Sequence, residues 1–410
     1  MKFRMISLAA LTLMAVAAQA QPVWNFDQLM QATLANHPLV LGKRSAQAAA
    51  QADLDGAQWQ RYPSLSVEAS TQSGGQNPSL LRLEQPLWSG GRITAGIDAA
   101  GSRLGAAGAA VDEARQELAL KVIAATTEAL RQQVRQRHGI TGVKEHEKLL
   151  GMIQRRVAQE VSPLADQNLA SSRLYASANE LSVTTQALNN ALAQLTQLAG
   201  QPVPAIVEQG LSASGTPASL DAALTQALAH SPTLRRLAFD EETAHADIAS
   251  KRSAYMPQLV FRVERSAGGG RGQAPDNRAM LVLLAQPGAG LSALSGADAA
   301  VARHEAARLA RAAAERDTRE RVTLDWNEWV AARLRLENAD QARAMSAEVS
   351  ESYARQYTAG RKTWIDVLNA VREATQSELA VGDAQAQMLA ASLRLRALTG
   401  TLTSTTGTQQ

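Results

Sequence analysis

The sequence contains no cysteine, which excludes disulfide bonds and thiolate metal sites within the chain. Phenylalanine, tryptophan and tyrosine make up only 4% of the residues, so we do not expect a large core filled with aromatic side chains. Alanine, glutamine and leucine are abundant instead, and this favours helices packed closely through small residues. The net charge of +3 is spread along the chain and gives no indication of nucleic-acid binding.

Recognisable catalytic and cofactor motifs are also lacking. The six histidines show no HExxH or other ligand spacing, and no G-x-S-x-G elbow is present. The glycines at 268–270 resemble a phosphate-binding loop only superficially, because no Lys-Ser/Thr follows them. The sequence therefore predicts neither an enzyme nor a bound cofactor or metal.

The first twenty residues have the form of an export signal. Lys2 and Arg4 precede an apolar run, and Ala18-Gln19-Ala20 matches the small-x-small pattern before a cleavage site. We therefore expect residues 1–20 to be a signal peptide. No later stretch approaches the roughly 18 to 20 apolar residues of a membrane helix. If the protein enters a membrane, we therefore expect it to do so without transmembrane helices.

The rest of the chain reads as a tandem duplication. FDQLMQATLANHP at 26–38 matches LDAALTQALAHSP at 220–232, and LTQLAG at 195–200 matches LRALTG at 395–400. Such ordered self-similarity indicates two structural repeats. We predict the first repeat at 21–205, a linker at 206–219, the second repeat at 220–400 and a disordered tail at 401–410.

Each repeat has the same predicted order of elements. A helix over 26–59 precedes two segments of about ten residues with period-two alternation, which predict strands. A stretch with helical periodicity follows, from about 91 to 157 in the first repeat and from about 290 to 357 in the second. At 1.5 Å per residue, such a helix is about 100 Å long, so it must lie alongside others.

Four strands cannot close a barrel, and open sheet edges are not tolerated in lipid. The strands must therefore be shared between chains, and three chains with four strands each would make a twelve-stranded barrel. The predicted strand–helix joints are Gln85-Pro86 with Gly90-Gly91 in the first repeat and Gln286-Pro287 in the second. Proline removes a ladder donor, and glycine permits a sharp change of direction.

With the strand–helix junction EQPLWSGGR at 84–92, the tandem halves and AGRKTWIDVLNA at 359–370, the chain resembles the TolC family of outer-membrane efflux and secretion channels. The resemblance implies a mainly α fold with a small β part. In it, tandem long α-hairpins form a trimeric helical barrel in the periplasm, and four strands per chain complete a 12-stranded outer-membrane β-barrel.

The same resemblance implies a function and partners. The chain would be a homotrimeric, passive exit duct in the outer membrane, opened by a periplasmic adaptor and energised by an inner-membrane pump of the RND or ABC class. The cargo, small molecules or polypeptide, is left open. The alternative is a periplasmic coiled-coil scaffold or adaptor that does not span the outer membrane.

The resemblance also assigns candidate site residues. Asp166, Tyr357 and Lys362 fall on the family's periplasmic gate, whereas solvated residues at helix turns are the alternative interpretation. Asp366 falls on the first of two aspartates that ring the aperture, and Asn369 stands at the second. Three carboxylates around one axis would favour cations and, by mutual repulsion, raise one another's pKa.

Aromatic side chains are expected to form a belt at the periplasmic side of the membrane. Trp59, Tyr62, Trp88 and Tyr255 all lie at the helix-proximal ends of predicted strands, which suits a belt at a membrane interface. Trp364 is expected to pack between neighbouring helices.

Overall fold

A computed structural model of the chain describes residues 24–70, 79–207, 211, 215–267, 276–285, 289 and 292–402. The first half contains α1 (Phe26–Asn36), α2 (Pro38–Trp59), β1 (Ser64–Ala69), β2 (Ser79–Trp88), α3 (Arg92–Ala158) and α4 (Leu164–Ala199). The second half contains α5 (Leu220–His230), α6 (Pro232–Ser253), β3 (Gln258–Ala267), β4 (Asp276–Leu284), α7 (Ser292–Thr358) and α8 (Trp364–Thr399). The expected signal segment 1–20, the joint Gln286-Pro287 and residues 403–410 of the expected tail lie outside the described residues.

Corresponding helices in the two halves are equally long. They contain 11, 22, 67 and 36 residues in the first half and the same numbers in the second. The mainly α architecture with a small sheet and two very long helices is the one that the sequence predicts. The two halves therefore repeat one helix–helix–hairpin–helix–helix unit.

The prediction of one continuous helix over 26–59 is wrong. The helical conformation is interrupted at His37, whose backbone is extended. The His37 Nδ1 accepts a hydrogen bond from the Leu39 N–H, and Pro38 is the first residue of α2. A residue before proline is pushed towards extended backbone, whereas proline fits the first turn of a helix. Ser231-Pro232 makes the same break in the second half.

The long helices pack side by side over their lengths. The central helix α3 contacts α2, α4, α6 and α8, while α7 contacts α5, α6 and α8. The main core lies where α3 meets the C-terminal parts of α4 and α8, around Leu118, Val122, Ile123, Leu195 and Leu393. None of the helices described here is long and apolar enough to cross a bilayer.

Small residues at the helix contacts let the backbones approach closely. Gly105 and Gly142 add to the contacts of α3. Nine alanines of α3 are buried: Ala95, Ala99, Ala100, Ala106, Ala109, Ala114, Ala119, Ala125 and Ala129. A Cβ atom on Gly105 would lie 2.7 Å from the ring of Phe239 on α6. These contacts confirm the expectation of close packing through small side chains.

The four strands form one antiparallel sheet in the order β1-β2-β3-β4. β1 has six residues rather than the expected ten or so. β2 continues past Pro86 to Trp88, with a register shift between them, so proline does not end the strand as expected. The ladder between β2 and β3 joins the two repeats.

We expect Gly382→Ala to destabilise the protein. The new Cβ atom would lie 2.6 Å from Cγ1 of Val134, a branched and stiff side chain, and overpacking of this kind costs about 1–3 kcal/mol. The control is Gly101→Ala, because a Cβ atom at this position would have no other atom within 4 Å. Alanine is favoured over glycine inside a helix by about 0.5–1 kcal/mol, so this variant should be more stable. Thermal melting followed by circular dichroism in detergent should show opposite shifts, and equal shifts would contradict this packing.

Candidate functional site

The turns between α3 and α4 and between α7 and α8 have the same backbone pattern. The Val161 N–H donates to the Arg156 carbonyl at 2.9 Å, and the Arg361 N–H donates to the Gln356 carbonyl at 2.9 Å. Each turn holds a residue in left-handed conformation, Glu160 at φ 59° in the first and a glycine at φ 74° in the second. This is a common way to end a helix, and it lets both hairpins turn sharply.

An apolar cluster near the turns joins the two hairpins. Its members come from all four long helices, and we call it the tip cluster: Ile153, Ala170, Tyr357, Trp364, Val367 and Leu368. Trp364 is only 4% exposed, so it packs between helices as expected. The cluster holds the ends of the first and second hairpins together within one chain.

Arg156 links the first turn to the second hairpin. Its guanidinium lies 4.9 Å from the centre of the Tyr357 ring, and its Nε donates to Ser162 Oγ at 3.4 Å. The Trp364 ring lies 5.5 Å from the Tyr357 ring at a tilt of 48°. A cation–π contact of this kind contributes about 0.5–2 kcal/mol, so Arg156 stabilises the contact between the two hairpins.

Two hydrogen-bonding groups in the tip cluster have no partner among the described residues. They are the Tyr357 hydroxyl and the Trp364 indole N–H, and both atoms are buried. A buried polar group without a partner costs about 1–3 kcal/mol. Both groups can therefore gain a hydrogen-bond partner only when the helices rearrange around them.

The structure places the other sequence-assigned gate residues near this cluster without joining them. Lys362 Nζ lies 4.2 Å from the centre of the Tyr353 ring, one turn before Tyr357 on α7. Asp166 lies in the first turn of α4. In the described part of the chain, no hydrogen bond or ion pair connects Asp166, Tyr357 and Lys362 to one another.

Asp366 closes the N-terminus of α8. Its Oδ2 accepts from the Thr363 N–H at 3.0 Å and from the Thr363 hydroxyl at 2.8 Å, and its own N–H donates to Thr363 Oγ1 at 3.3 Å. The hydrogen bonds from Thr363 lower the pKa of Asp366. Within one chain this is opposite to the expected effect of a carboxylate ring. Asn369, one turn further along α8, is exposed.

Glycine is required at the first strand–helix joint. Gly90 and Gly91 have φ of 62° and 89°, and a Cβ atom on Gly90 would lie 2.9 Å from Met256 Cβ. The Gln85 amide donates to the Arg61 carbonyl at 2.9 Å, which ties β2 to the end of α2. The joint is thus built at residues 89–91, just beyond Pro86.

The sheet has one apolar and one polar face. Large apolar side chains alternate along the strands on one face and are exposed to the surroundings: Leu65, Val67, Leu81, Leu83, Phe261, Leu281 and Leu283. Trp59, Tyr62 and Trp88 are exposed beside the strand ends. An apolar exposed face with flanking aromatics is typical of a strand surface in contact with lipid.

Four charged side chains form a closed quartet on the opposite face, at the ladder between β2 and β3. Arg82 Nε lies 2.8 Å from Glu264 Oε1, and Arg262 Nε lies 2.7 Å from Glu84 Oε1. Along each strand, the Arg82–Glu84 and Arg262–Glu264 atom pairs are both 3.8 Å apart. The sequence did not lead us to predict this quartet, although the pattern R-x-E occurs in both β-hairpins. Nor did it lead us to predict the contacts of Arg156 and Tyr353.

Candidate metal ligands are sparse in the structure. The rings of His245 on α6 and His304 on α7 lie 5.6 Å apart. Among the described residues, no group of three or more histidine, aspartate or glutamate side chains could hold a metal ion.

Known proteins share this architecture. The family model described as "Outer membrane efflux protein" matches residues 29–201 and 223–401. The solved structure of the outer membrane protein VceC from Vibrio cholerae is similar with a TM-score of 0.81 at 18% identity, covering 92% of this chain and 96% of that one. No match was found among curated protein sequences.

Two further solved structures have the same fold. A membrane protein from Pseudomonas aeruginosa aligns with a TM-score of 0.79 at 18% identity, covering 91% of this chain and 90% of that chain. The CmeC outer membrane channel from Campylobacter jejuni aligns with a TM-score of 0.76 at 13% identity, covering 92% and 86%.

We expect Glu160→Gly to stabilise the first turn and Gly360→Glu to destabilise the second by a similar amount. Left-handed backbone costs a non-glycine residue about 1–2 kcal/mol, and the entropy of glycine in the unfolded chain offsets about 0.4–1 kcal/mol. The net change is about 0.5–1 kcal/mol in each case. The double variant is the control, since its thermal midpoint should match that of the original chain. Two shifts of the same sign would show that the turns differ.

Proposed function

Because the chain belongs to the outer membrane efflux protein family, we propose that three copies form an exit duct that a periplasmic adaptor opens and an inner-membrane pump energises. The chain itself is an outer-membrane duct, with its sheet in the membrane and its long helices in the periplasm. The proposal of a trimer is supported mainly by the four-stranded sheet with its exposed apolar face.

The edges of this sheet require partners. β1 pairs with β2 alone and β4 with β3 alone among the described strands, so one side of each edge strand has unpaired backbone groups. In lipid each such group costs several kcal/mol. Pairing of β1 with β4 of the next copy satisfies both edges, and three copies give a twelve-stranded barrel of the kind known in outer membranes.

Helix α7 offers a second surface for another copy. It carries exposed large apolar side chains along most of its length: Leu294, Val301, Leu309, Leu324, Val330, Leu334, Met345 and Val349. Exposed apolar surface on this scale marks an interaction site. Since α7 lies at one edge of the packed helices, the stripe supports a continuous wall formed by neighbouring copies.

The tip cluster is the proposed gate. Asp166, Tyr357 and Lys362 lie beside the two turns, and the buried Tyr357 hydroxyl lacks a partner in the described chain. In the proposed closed mouth, Asp166 of a neighbouring copy pairs with Lys362, and it accepts from the Tyr357 hydroxyl once the helices shift to expose that group. Docking of the adaptor would then open the mouth by separating these groups.

We further propose that residues 21–205 and 220–400 are two repeats joined by the linker 206–219. The two separate matches of the family model support this division, as do the equal helix lengths. A periplasmic scaffold that never enters the membrane is the less favoured function, because it gives no reason for a sheet with an exposed apolar face.

Asp166→Ala combined with Lys362→Ala should raise the single-channel conductance in planar lipid bilayers several-fold, because the proposed links at the mouth are lost. The matched control removes one acid and one lysine from an exposed ion pair on α3, Glu145 and Lys148, whose charged atoms lie 2.5 Å apart. The control should conduct as the original channel does. Unchanged conductance in the gate variant would show that these residues do not hold the mouth.

Asp366→Asn should weaken block of the channel by trivalent cations on the order of tenfold, because three carboxylates around the axis are lost. Thr363 remains the N-cap of α8, and the amide oxygen of asparagine can still accept from the Thr363 N–H, so the helix start is kept. The opposite variant, Asn369→Asp, should strengthen the block. Block that persists at full strength in Asp366→Asn, measured as current in planar bilayers, would place the acidic ring elsewhere.

A further inference from the structure

The quartet Arg82, Glu84, Arg262 and Glu264 lies on the face of the sheet that is turned away from the exposed apolar side chains. If the apolar face contacts lipid, this face lines the lumen of the barrel. Each guanidinium has two carboxylates within 4 Å and each carboxylate has two guanidiniums. The four charges sum to zero, and they are held by two strands that come from different repeats.

On the same face, Glu68 on β1 lies one step beyond Ser66, and its negative charge acts on Arg82. The neighbours at the level of the quartet itself add little charge. Ser64 and Ser66 on β1 pair with Glu84 and Arg82, and Met280 on β4 pairs with Arg262. Arg278 pairs with Glu264 across the ladder. Its guanidinium is engaged by Asp276 at 2.7 Å, so this pair is balanced as well.

We propose that the quartet is a charge-neutral section of the channel wall, through which anionic and cationic solutes pass equally well. The proposal rests on the proposed function, since it requires this face to line a water-filled lumen. Paired charges keep the wall hydrophilic, yet their opposing fields cancel within a few ångström in water. Selection by charge then belongs to the periplasmic end of the duct.

A single cysteine can report the local potential, because the chain has no other. Ser66→Cys places the thiol directly opposite Arg82 in the β1–β2 ladder. The rates of its modification by a cationic and by an anionic methanethiosulfonate of similar size are measured on the channel reconstituted in lipid vesicles. In a background with Glu68→Gln, which removes the carboxylate next to the probe on β1, both reagents should react at similar rates.

Two double variants then unbalance the quartet. With Glu84→Gln and Glu264→Gln, the ratio of the anionic to the cationic rate should rise about three- to ten-fold, and with Arg82→Gln and Arg262→Gln it should fall by a similar factor. Replacement of all four side chains by glutamine removes the charges without changing their sum, so the ratio should not change if their fields cancel at the probe. Single variants at Glu264 and Arg262 give half-sized effects if a double variant does not fold.

The outcomes separate this proposal from the proposed function. If Ser66→Cys reacts with both reagents but the double variants leave the ratio unchanged or shift it in one common direction, the quartet does not control the potential and the proposal is overturned. Leu65→Cys, on the apolar face, should be unreactive towards both charged reagents. If Leu65→Cys reacts and Ser66→Cys does not, the lumen assignment and with it the barrel itself are wrong.

Discussion

The unpaired backbone groups along β1 and β4 are the constraint on which the rest of the molecule depends. A strand edge in lipid leaves N–H and C=O groups without water or protein partners, and four strands cannot curl far enough to satisfy their own edges. In the proposed duct, other copies of the chain supply the missing strands. Once the sheet is shared, the helices that leave it are placed side by side around the same axis, and their length gives the duct its reach.

Strand and helix have to be joined over very few residues in such a molecule. Gly90 and Gly91 turn the chain in left-handed conformations that other residues adopt only at a cost, and the 67 residues of α3 follow at once. At the far end, the two turns have the same hydrogen-bond pattern. The two repeats thus use the same type of turn between their long helices. Because Arg156 and Tyr357 belong to different hairpins, their contact couples the two repeats at the proposed gate.

The long elements were predictable because their signals are local and repeated. The expected ends of the long helices, 91–157 and 290–357, differ by one or two residues from those of α3 and α7, since apolar periodicity runs through the whole of each helix. The break before Pro38 was missed because helical composition continues on both sides of it. The contact of Arg156 with Tyr357 depends on tertiary packing between distant segments, and no local sequence pattern predicts it. The roles of Asp166, Lys362 and Asp366 came from the family resemblance, and a single chain does not bring them together.

The charged quartet shows how a duplicated motif can specify the pairing of two repeats. Both hairpins carry R-x-E, and antiparallel pairing sets Arg82 opposite Glu264 and Glu84 opposite Arg262. A slip of two residues in one direction would set Arg82 opposite Arg262, and a slip in the other direction would set Glu84 opposite Glu264. Like charges directly opposite are destabilising, while a slip of one residue would turn the apolar face away from lipid. The same four side chains that leave the wall neutral therefore also fix the register of the seam between the repeats.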